Sequence, residues 1–296
     1  MTLQQEPKSW TIRDLMKFCI DYLQSHGFDE ARLNVELLLS HALHCQRIEL
    51  YTRFDQPLSK DELAGFRALY ERRLKHEPVQ YIVGTAGFMG MQFQVDRRVL
   101  IPRPETETLV EQTMLVCGRN PEETPLSMLE VGTGSGNIAI AVAKFVRNIH
   151  VTSIDTNGEA LEVARGNATA HGVTDRVTFH EMSVFAPIVE SLAQQYDLLV
   201  SNPPYVSEED WKQLAPEIRS FEPLLAVSDS GDGYAFYRRI AELAPALLRK
   251  NGSILVEIGY GQSDSVQKIF NGAGVSELSV VKDLQGIPRV VVGICS

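Results

Sequence analysis

Apolar positions along the chain change their spacing twice. Up to about residue 85 they recur at helical intervals. Ile12, Leu15, Cys19 and Leu23 share one face, and Leu63, Phe66, Tyr70 and Leu74 form a second stripe. Thr11-Ile12-Arg13-Asp14 and Ser59-Lys60-Asp61-Glu62 read as capping boxes, the first in an Asp variant. In such a box the hydroxyl accepts from a backbone N–H three residues on and stops the helix from fraying. Another helix is predicted over about Ala31 to Leu43, with Leu33, Leu37 and Leu38 among its apolar positions. This stretch shows no strand pattern, so residues 1–85 are expected to form a small helical bundle.

Residues 86–101 break the helical spacing. Phe88, Met91, Phe93 and Val95 lie in a Gly-interrupted extended pattern, which predicts a β-hairpin joining two domains. Pro102 and Pro104 then bias the residues before them toward extended backbone. Pro104 suits the first turn of a helix, and Glu105 and Glu107 favour the positive end of its dipole. From residue 102 to 296 short apolar runs alternate with helical stretches. Strands are predicted over 128–131, 151–154, 177–180, 198–200, 254–258, 278–281 and 290–292. Helices are predicted over about 136–146, 158–171, 186–195, 234–249 and 263–271. Alternation of this kind gives an α/β domain, a mostly parallel seven-stranded sheet with helices on both faces.

Composition narrows the class. With 44% hydrophobic and 22% charged residues the chain is globular rather than disordered. Its net charge is −10, and the acidic excess falls after residue 85. A duplex-DNA binder needs clustered Lys and Arg, so no direct nucleic-acid substrate is expected. Cys19, Cys45, Cys117 and Cys295 are too scattered for zinc-ligand spacing, and no metal is expected. The start, MTLQQEPKSW, lacks a signal-peptide pattern, and no apolar run approaches the roughly 20 residues of a membrane span. A cytoplasmic protein with no membrane partner, acting as a monomer, is expected.

Leu129-Glu130-Val131-Gly132-Thr133-Gly134-Ser135-Gly136-Asn137 joins a strand to a helix through a Gly-rich turn. Glycines let a ligand approach the backbone closely. A nicotinamide-dinucleotide fingerprint would place its third Gly where Asn137 stands. The run instead resembles the first motif of class I S-adenosylmethionine-dependent methyltransferases. The next strand ends in Asp155, where a carboxylate can accept from two ribose hydroxyls. The plainer alternative is a structural turn and a solvent-facing acid.

The strand ending at Val200 runs into Ser201-Asn202-Pro203-Pro204-Tyr205. Two prolines stiffen this turn and remove two N–H donors, leaving carbonyls that can face a ligand. The Asn202 side-chain oxygen and the Pro203 carbonyl can accept the two hydrogens of a planar NH2 group, and the Tyr205 ring can stack on its plane. Acceptors so aimed stabilise the positive charge that grows on an amide nitrogen as it attacks a methyl sulfonium.

This tetrapeptide resembles the signature of amino-group methyltransferases acting on adenine N6, cytosine N4 or glutamine amides. Further stretches are similar to one family, the peptide chain release factor glutamine methyltransferases (the PrmC/HemK family). They are Glu77-Pro78-Val79-Gln80-Tyr81-Ile82-Val83-Gly84, Leu100-Ile101-Pro102-Arg103-Pro104-Glu105-Thr106-Glu107, Phe221-Glu222-Pro223 and Asp283-Leu284-Gln285-Gly286-Ile287-Pro288-Arg289-Val290. The resemblance implies a Rossmann-like class I methyltransferase domain over 102–296. A helical substrate-recognition domain over 1–85 and a hairpin linker over 86–101 complete the expected arrangement. It implies transfer of a methyl group from S-adenosylmethionine to the glutamine N5 of the Gly-Gly-Gln motif of class 1 release factors, leaving S-adenosylhomocysteine.

Carried over by motif, Gly132, Thr133, Gly134, Ser135 and Gly136 contact the cofactor and Asp155 holds its ribose. Asn202, Pro203, Pro204 and Tyr205 receive the substrate amide, and Asn202 also borders the cofactor. Arg103 and Glu105 lie at the substrate rim, unless they merely form an ion pair between domains. One departure stands at Glu181-Met182-Ser183-Val184-Phe185. Related enzymes usually place an acid and then a large apolar residue near the adenine, where this chain has Ser183 and Val184. The seven histidines form no motif-spaced pair, Trp10 and Trp211 read as packing residues, and Asp229 and Asp232 read as a plain turn. Two other functions share these motifs: a nucleic-acid amino (adenine N6) methyltransferase, and a non-catalytic cofactor-binding regulator.

Overall fold

A computed structural model describes residues 10–119, 123–187, 192–193 and 195–295. The chain divides into two units, Met1–Gly84 and Thr85–Ser296. The first is helical: α1 (Ile12–Ser25), α2 (Ala31–Ala42), α3 (Arg47–Thr52), α4 (Lys60–Leu74) and α5 (Val79–Val83). The predicted box at Ser59 forms in full, and at Thr11 its N-cap half forms. The Thr11 hydroxyl accepts from the Asp14 amide at 3.2 Å, and Ser59 and Glu62 cap each other reciprocally. Ile12, Leu23, Val35, Leu38, Leu39 and Leu50 fill the core of this unit. The short helices α3 and α5 were not predicted. Each is about a turn long, below the length at which spacing reveals a helix. Inside the unit, the buried Glu36 carboxylate accepts from Arg47 at 2.5 Å and from the Tyr51 hydroxyl.

The second unit opens with β1 (Thr85–Phe88) and β2 (Met91–Gln94), an antiparallel hairpin. Met89 and Gly90 at its turn both have positive φ (50° and 71°), as a two-residue turn matched to strand twist requires. Phe88 and Phe93 are buried in the core of this unit. There follow α6 (Pro104–Cys117), β3 (Leu126–Val131), α7 (Asn137–Phe145), β4 (Ile149–Asp155), α8 (Gly158–His171), β5 (Val177–Glu181) and β6 (Tyr196–Ser201). The rest comprises α9 (Glu208–Trp211), α10 (Pro216–Phe221), α11 (Leu224–Val227), α12 (Ala235–Leu247), β7 (Leu248–Glu257), α13 (Ser263–Gly272), β8 (Val275–Lys282) and β9 (Pro288–Cys295).

All seven predicted strands are present, most of them longer than predicted, in the order β5-β4-β3-β6-β7-β9-β8. β9 runs antiparallel to both neighbours, and the other pairs are parallel. Side chains alternate between two cores. Met128, Leu198, Val200 and Leu255 pack with α6, α7 and α8. Leu129, Leu199, Ile254 and Val256 pack with α12 and α13. Strands buried on both faces read as unbroken apolar runs, which is why they were visible in the sequence. Half of the helix predicted over 186–195 falls outside the described residues, and the other half is not α-helical. The chain order reverses between β3 and β6. This places a crevice at their carboxyl ends, where ligands bind in open α/β sheets.

Candidate active site

The Gly-rich turn leaves β3 at that crevice. Gly136 has φ 80°, and a Cβ there would come within 2.8 Å of Ile140 and 3.1 Å of Ala164. A side chain there would press on Ile140 and Ala164, where α7 meets α8, in a backbone conformation that favours glycine. The turn is held from two sides. The Gly134 amide donates to Asp155 Oδ2 at 2.9 Å, while Asp155 Oδ1 accepts from the Asn157 amide at 2.9 Å. The buried Asn167 amide donates to the Ser135 carbonyl at 2.9 Å and pairs with both backbone groups of Gln94 on β2. Beneath the turn Glu130 is fully buried and accepts from Ser153, whose hydroxyl also meets Thr133 at 2.6 Å. Burial, countered in part by the Ser153 hydroxyl and the Ala139 amide, raises the Glu130 carboxyl to about 8.

A cavity of about 840 Å³ opens beside the turn. Its wall includes Gly132, Thr133, Gly134, Ser135, Asp155, Ser183, Val184, Asn202, Pro204 and Arg103. Gly136, Pro203, Tyr205 and Glu105 do not line it. Sequence reasoning assigned no role to Thr106, Arg98, Leu224, Leu225 and Phe236, which also form its wall. Thr106 lies within the stretch Leu100–Glu107. The others carry no local signal, because a rim is made by tertiary packing.

β6 ends at Ser201, whose hydroxyl donates to the Val131 carbonyl at 2.7 Å and locks the tetrapeptide beside the Gly-rich turn. A Cβ on Gly132 would stand 3.6 Å from the Asn202 carbonyl. The Asn202 side chain donates from Nδ2 to Thr106 Oγ1 at 3.1 Å. Among the described residues, nothing donates to the Pro203 carbonyl. Gln262 holds the next stretch, donating to the Tyr205 carbonyl at 3.0 Å and accepting from the Gly259 amide at 2.9 Å. Tyr205 is half-buried against the α12 side, and burial and the Glu257 charge push its hydroxyl pKa up.

Charged groups gather behind this turn. Glu257, the last residue of β7, is 1% exposed. Burial raises its carboxyl to about 7, against the Thr106 hydroxyl, the Arg289 guanidinium and the Tyr205 hydroxyl, which hold it down. Arg289 reaches Asp283 at 2.9 Å and Glu105 at 3.8 Å. Arg103 donates to the buried Glu222 at 2.5 Å. The partners of Arg103 and Glu105 thus both belong to the second unit. Glu222 and Arg289 sit in motifs noted in the sequence, but their pairing across more than a hundred residues has no local signature.

The wall fits an adenosyl group linked to an amino acid. Its volume is in the range of small-ligand sites, with apolar Ile138, Val184 and Leu225 and a few fixed polar groups. Asp155 keeps lone pairs for hydroxyls after serving two amides. Ser183 accepts from the Phe185 amide at 3.1 Å and lies in the wall with Val184.

Residues 14–84 match the PrmC N-terminal domain, and residues 123–269 match a methyltransferase domain. A release factor glutamine methyltransferase of Geobacter sulfurreducens is 41% identical over 98% of this chain and 99% of its own length. That of Chlorobaculum tepidum is 42% identical over 96% and 97%, and that of Bacillus cereus 34% over 95% and 98%. Among solved structures, a Pyrococcus furiosus methyltransferase is similar with TM-score 0.50 and 17% identity, covering 77% of this chain and 95% of its own. The hMettl16 catalytic domain gives TM-score 0.55 at 13% identity, covering 69% and 75%. These two speak for the fold alone.

Proposed function

The chain belongs to the release factor glutamine methyltransferase family, and from that premise we propose how its residues perform the transfer. The protein methylates the side-chain amide nitrogen, N5, of the glutamine in the Gly-Gly-Gln motif of class 1 release factors. S-adenosylmethionine, when bound, supplies the methyl group from a sulfonium that leaves as a neutral thioether. Gly132 to Ser135 hold its amino-acid part, Asp155 its ribose, and Ser183 and Val184 border its adenine.

Asn202 is the residue on which the reaction turns. Its Nδ2 is already engaged by Thr106, so its Oδ1 is left to accept from the substrate amide. The Pro203 carbonyl takes the second hydrogen. Both acceptors stabilise the charge developing on the nitrogen, which sheds one of its two hydrogens as a proton to water once the carbon–nitrogen bond has formed, and the shared grip orients its lone pair. The exposed part of the Tyr205 ring supplies the flat surface for the substrate side chain, beside Pro204. Arg103 and Glu105 shape the rim. The observation that carries this reading is the anchored Asn202 amide beside the Gly-rich turn.

Residues 1–85 are proposed to read the rest of the release factor, since a Gly-Gly-Gln loop offers little contact area. Deleting them should raise KM for whole release factor far more than it changes cofactor affinity. The protein is proposed to work in the cytoplasm as a monomer.

The deciding experiment is methyl transfer from labelled S-adenosylmethionine to a purified class 1 release factor. It is run beside a copy with the Gly-Gly-Gln glutamine changed to alanine and a duplex DNA. Label on the intact factor alone supports the reading. Label on DNA would favour the nucleic-acid amino methyltransferase, and none anywhere, with cofactor bound, a regulator.

A further inference from the structure

Between β6 and α12 the chain makes a long excursion that is barely packed. Its short helices α9, α10 and α11 contain no buried residue. Over residues 205–227 only Glu222 is buried. A segment is ordinarily anchored by apolar side chains, and here the anchor is a carboxylate. The ends of the excursion meet. The Val206 amide donates to the Val227 carbonyl at 3.1 Å, and the Ser228 hydroxyl donates to the Val206 carbonyl at 2.7 Å. Farther out, Arg103 Nη2 donates to Glu222 Oε1 at 2.5 Å, and the Arg97 guanidinium lies 4.7 Å from the centre of the Phe221 ring. These ties join two stretches of cavity wall: Val99 and Arg103 on one, and Pro223, Leu224 and Leu225 on the other.

A buried ion pair gives back in desolvation most of what it gains in attraction, so this tie costs little to undo when both groups reach water together. Glu222 Oε2 has no partner among the described residues, a cost that opening relieves. Leu224 and Leu225 stand in the cavity wall yet are 44% and 73% exposed. Such side chains leave water only when a ligand fills the space beside them. We propose that residues 206–227 form a lid on the cavity, hinged where Val206 meets Ser228 and latched by Glu222 on Arg103. Opening parts the ion pair into water and clears a path for S-adenosylmethionine and S-adenosylhomocysteine. Closing brings Leu224 and Leu225 against the bound cofactor, the differential contact through which a ligand favours one state. This rests on the assignment of the cavity to the cofactor.

Lys212 and Arg219 are exposed on the lid and offer trypsin two places to cut. Cutting of a folded protein at such places tracks how often the segment opens. The test measures cleavage of the full chain, with and without saturating S-adenosylhomocysteine, for the parent, Glu222→Gln and Leu225→Ser. Kd for S-adenosylhomocysteine and melting temperature are measured beside it. The ligand should slow cleavage of the parent at the two lid sites about tenfold. Glu222→Gln without ligand should be cut about tenfold faster there and bind about threefold more weakly, because its closed form is rarer. Leu225→Ser should be cut at the parent's rate without ligand, within about twofold, yet lose most of the protection. If S-adenosylhomocysteine binds the parent and leaves its cleavage unchanged, the lid falls and the cofactor assignment stands. If it does not bind, that assignment falls and takes the inference with it. Glu222→Gln cut no faster than the parent, or cut faster everywhere with a lowered melting temperature, overturns the latch. Should Glu222→Gln not fold, the parent and Leu225→Ser decide alone, and full protection of Leu225→Ser overturns the inference.

Discussion

Two buried carboxylates stand behind the carboxyl edge of the sheet, and they keep different company. Glu130 lies under the cofactor turn and Glu257 under the tetrapeptide, each with one oxygen unpartnered. Glu130 meets only a hydroxyl and an amide, and the Asp155 charge pushes it further up, to about 8. Glu257 has the Arg289 guanidinium as an opposing charge and rises only to about 7. At the cofactor end the Ser153 hydroxyl stands between the carboxylate and Thr133. The buried carboxylate at the cofactor end thus faces no opposing charge, whereas the one at the substrate end sits in a balance of charges. Substitutions at the two ends should move different quantities.

The largest contrast is between Asn202→Ala and Asp155→Ala. The first should cut kcat about a hundredfold or more, by analogy with removal of a transition-state hydrogen bond, and leave cofactor Kd nearly unchanged. The second should weaken cofactor binding about tenfold or more, since hydrogen bonds to a charged group contribute about 1.5–3 kcal/mol each. Cofactor titration alongside initial rates at saturating cofactor separates them. Equal losses of both quantities in both variants would erase the division.

Next comes the ion pair at the substrate end. Arg103→Ala leaves Glu222 buried without its charged partner. A fully buried pair costs about 3–5 kcal/mol when broken, and the partial exposure of Arg103 reduces this to about 2 kcal/mol. Chemical denaturation would read it. A loss no larger than for Arg67→Ala, an exposed helix pair at 2.7 Å, would show that burial adds nothing.

The cofactor turn offers an internal control. Gly136→Ala meets Ile140 and Ala164 and is strained at φ 80°, so about 2–3 kcal/mol should be lost. Gly134→Ala finds open space at φ 52° and should lose about 1 kcal/mol from backbone strain alone. Equal melting temperatures for the two would mean that the close packing of α7 on α8 is not felt.

The dependence of stability on pH separates the two carboxylates themselves. The folded-state pKa of Glu130 lies above the ordinary value of 4.5, at about 8. Its contribution to stability is therefore full below about pH 4.5 and is lost as pH rises through about 8. Relative to the parent, Glu130→Gln should gain in melting temperature between pH 5 and pH 8.5. Glu257→Gln should show the same trend, complete about one pH unit lower. Parallel melting curves against pH would sink both assignments.

What the sequence disclosed and what it hid divide along the same line. Apolar runs such as 198–200 and 254–258 betray central strands, and the turn from Gly132 to Gly136 betrays itself because its three glycines all have positive φ, a conformation that favours glycine. Asn202 was legible because prolines beside it leave few other uses. Thr106 and Glu257 were not, although Thr106 lies within the stretch Leu100–Glu107. Their meaning depends on α6 being laid against the ends of β6 and β7, a relation between residues about a hundred apart or more. Glu257 in particular lies inside the stretch predicted as a strand over 254–258, where nothing local marks a carboxylate as buried. The short helices α9, α10 and α11 escaped for a different reason, having four, six and four residues.

The placing of β9 bears on how the protein is made. β9 follows β8 in the chain yet lies between β7 and β8. During synthesis β7 therefore has a bare edge, and β8 has no sheet to join, until residues 288–295 have been added and threaded into place. Unpaired edges of this kind recruit other chains, so a product interrupted after β8 is an aggregation hazard as well as an incomplete enzyme. Arg289 travels on that strand. The nascent protein thus acquires the counter-charge of its substrate end in the same event that seals its sheet.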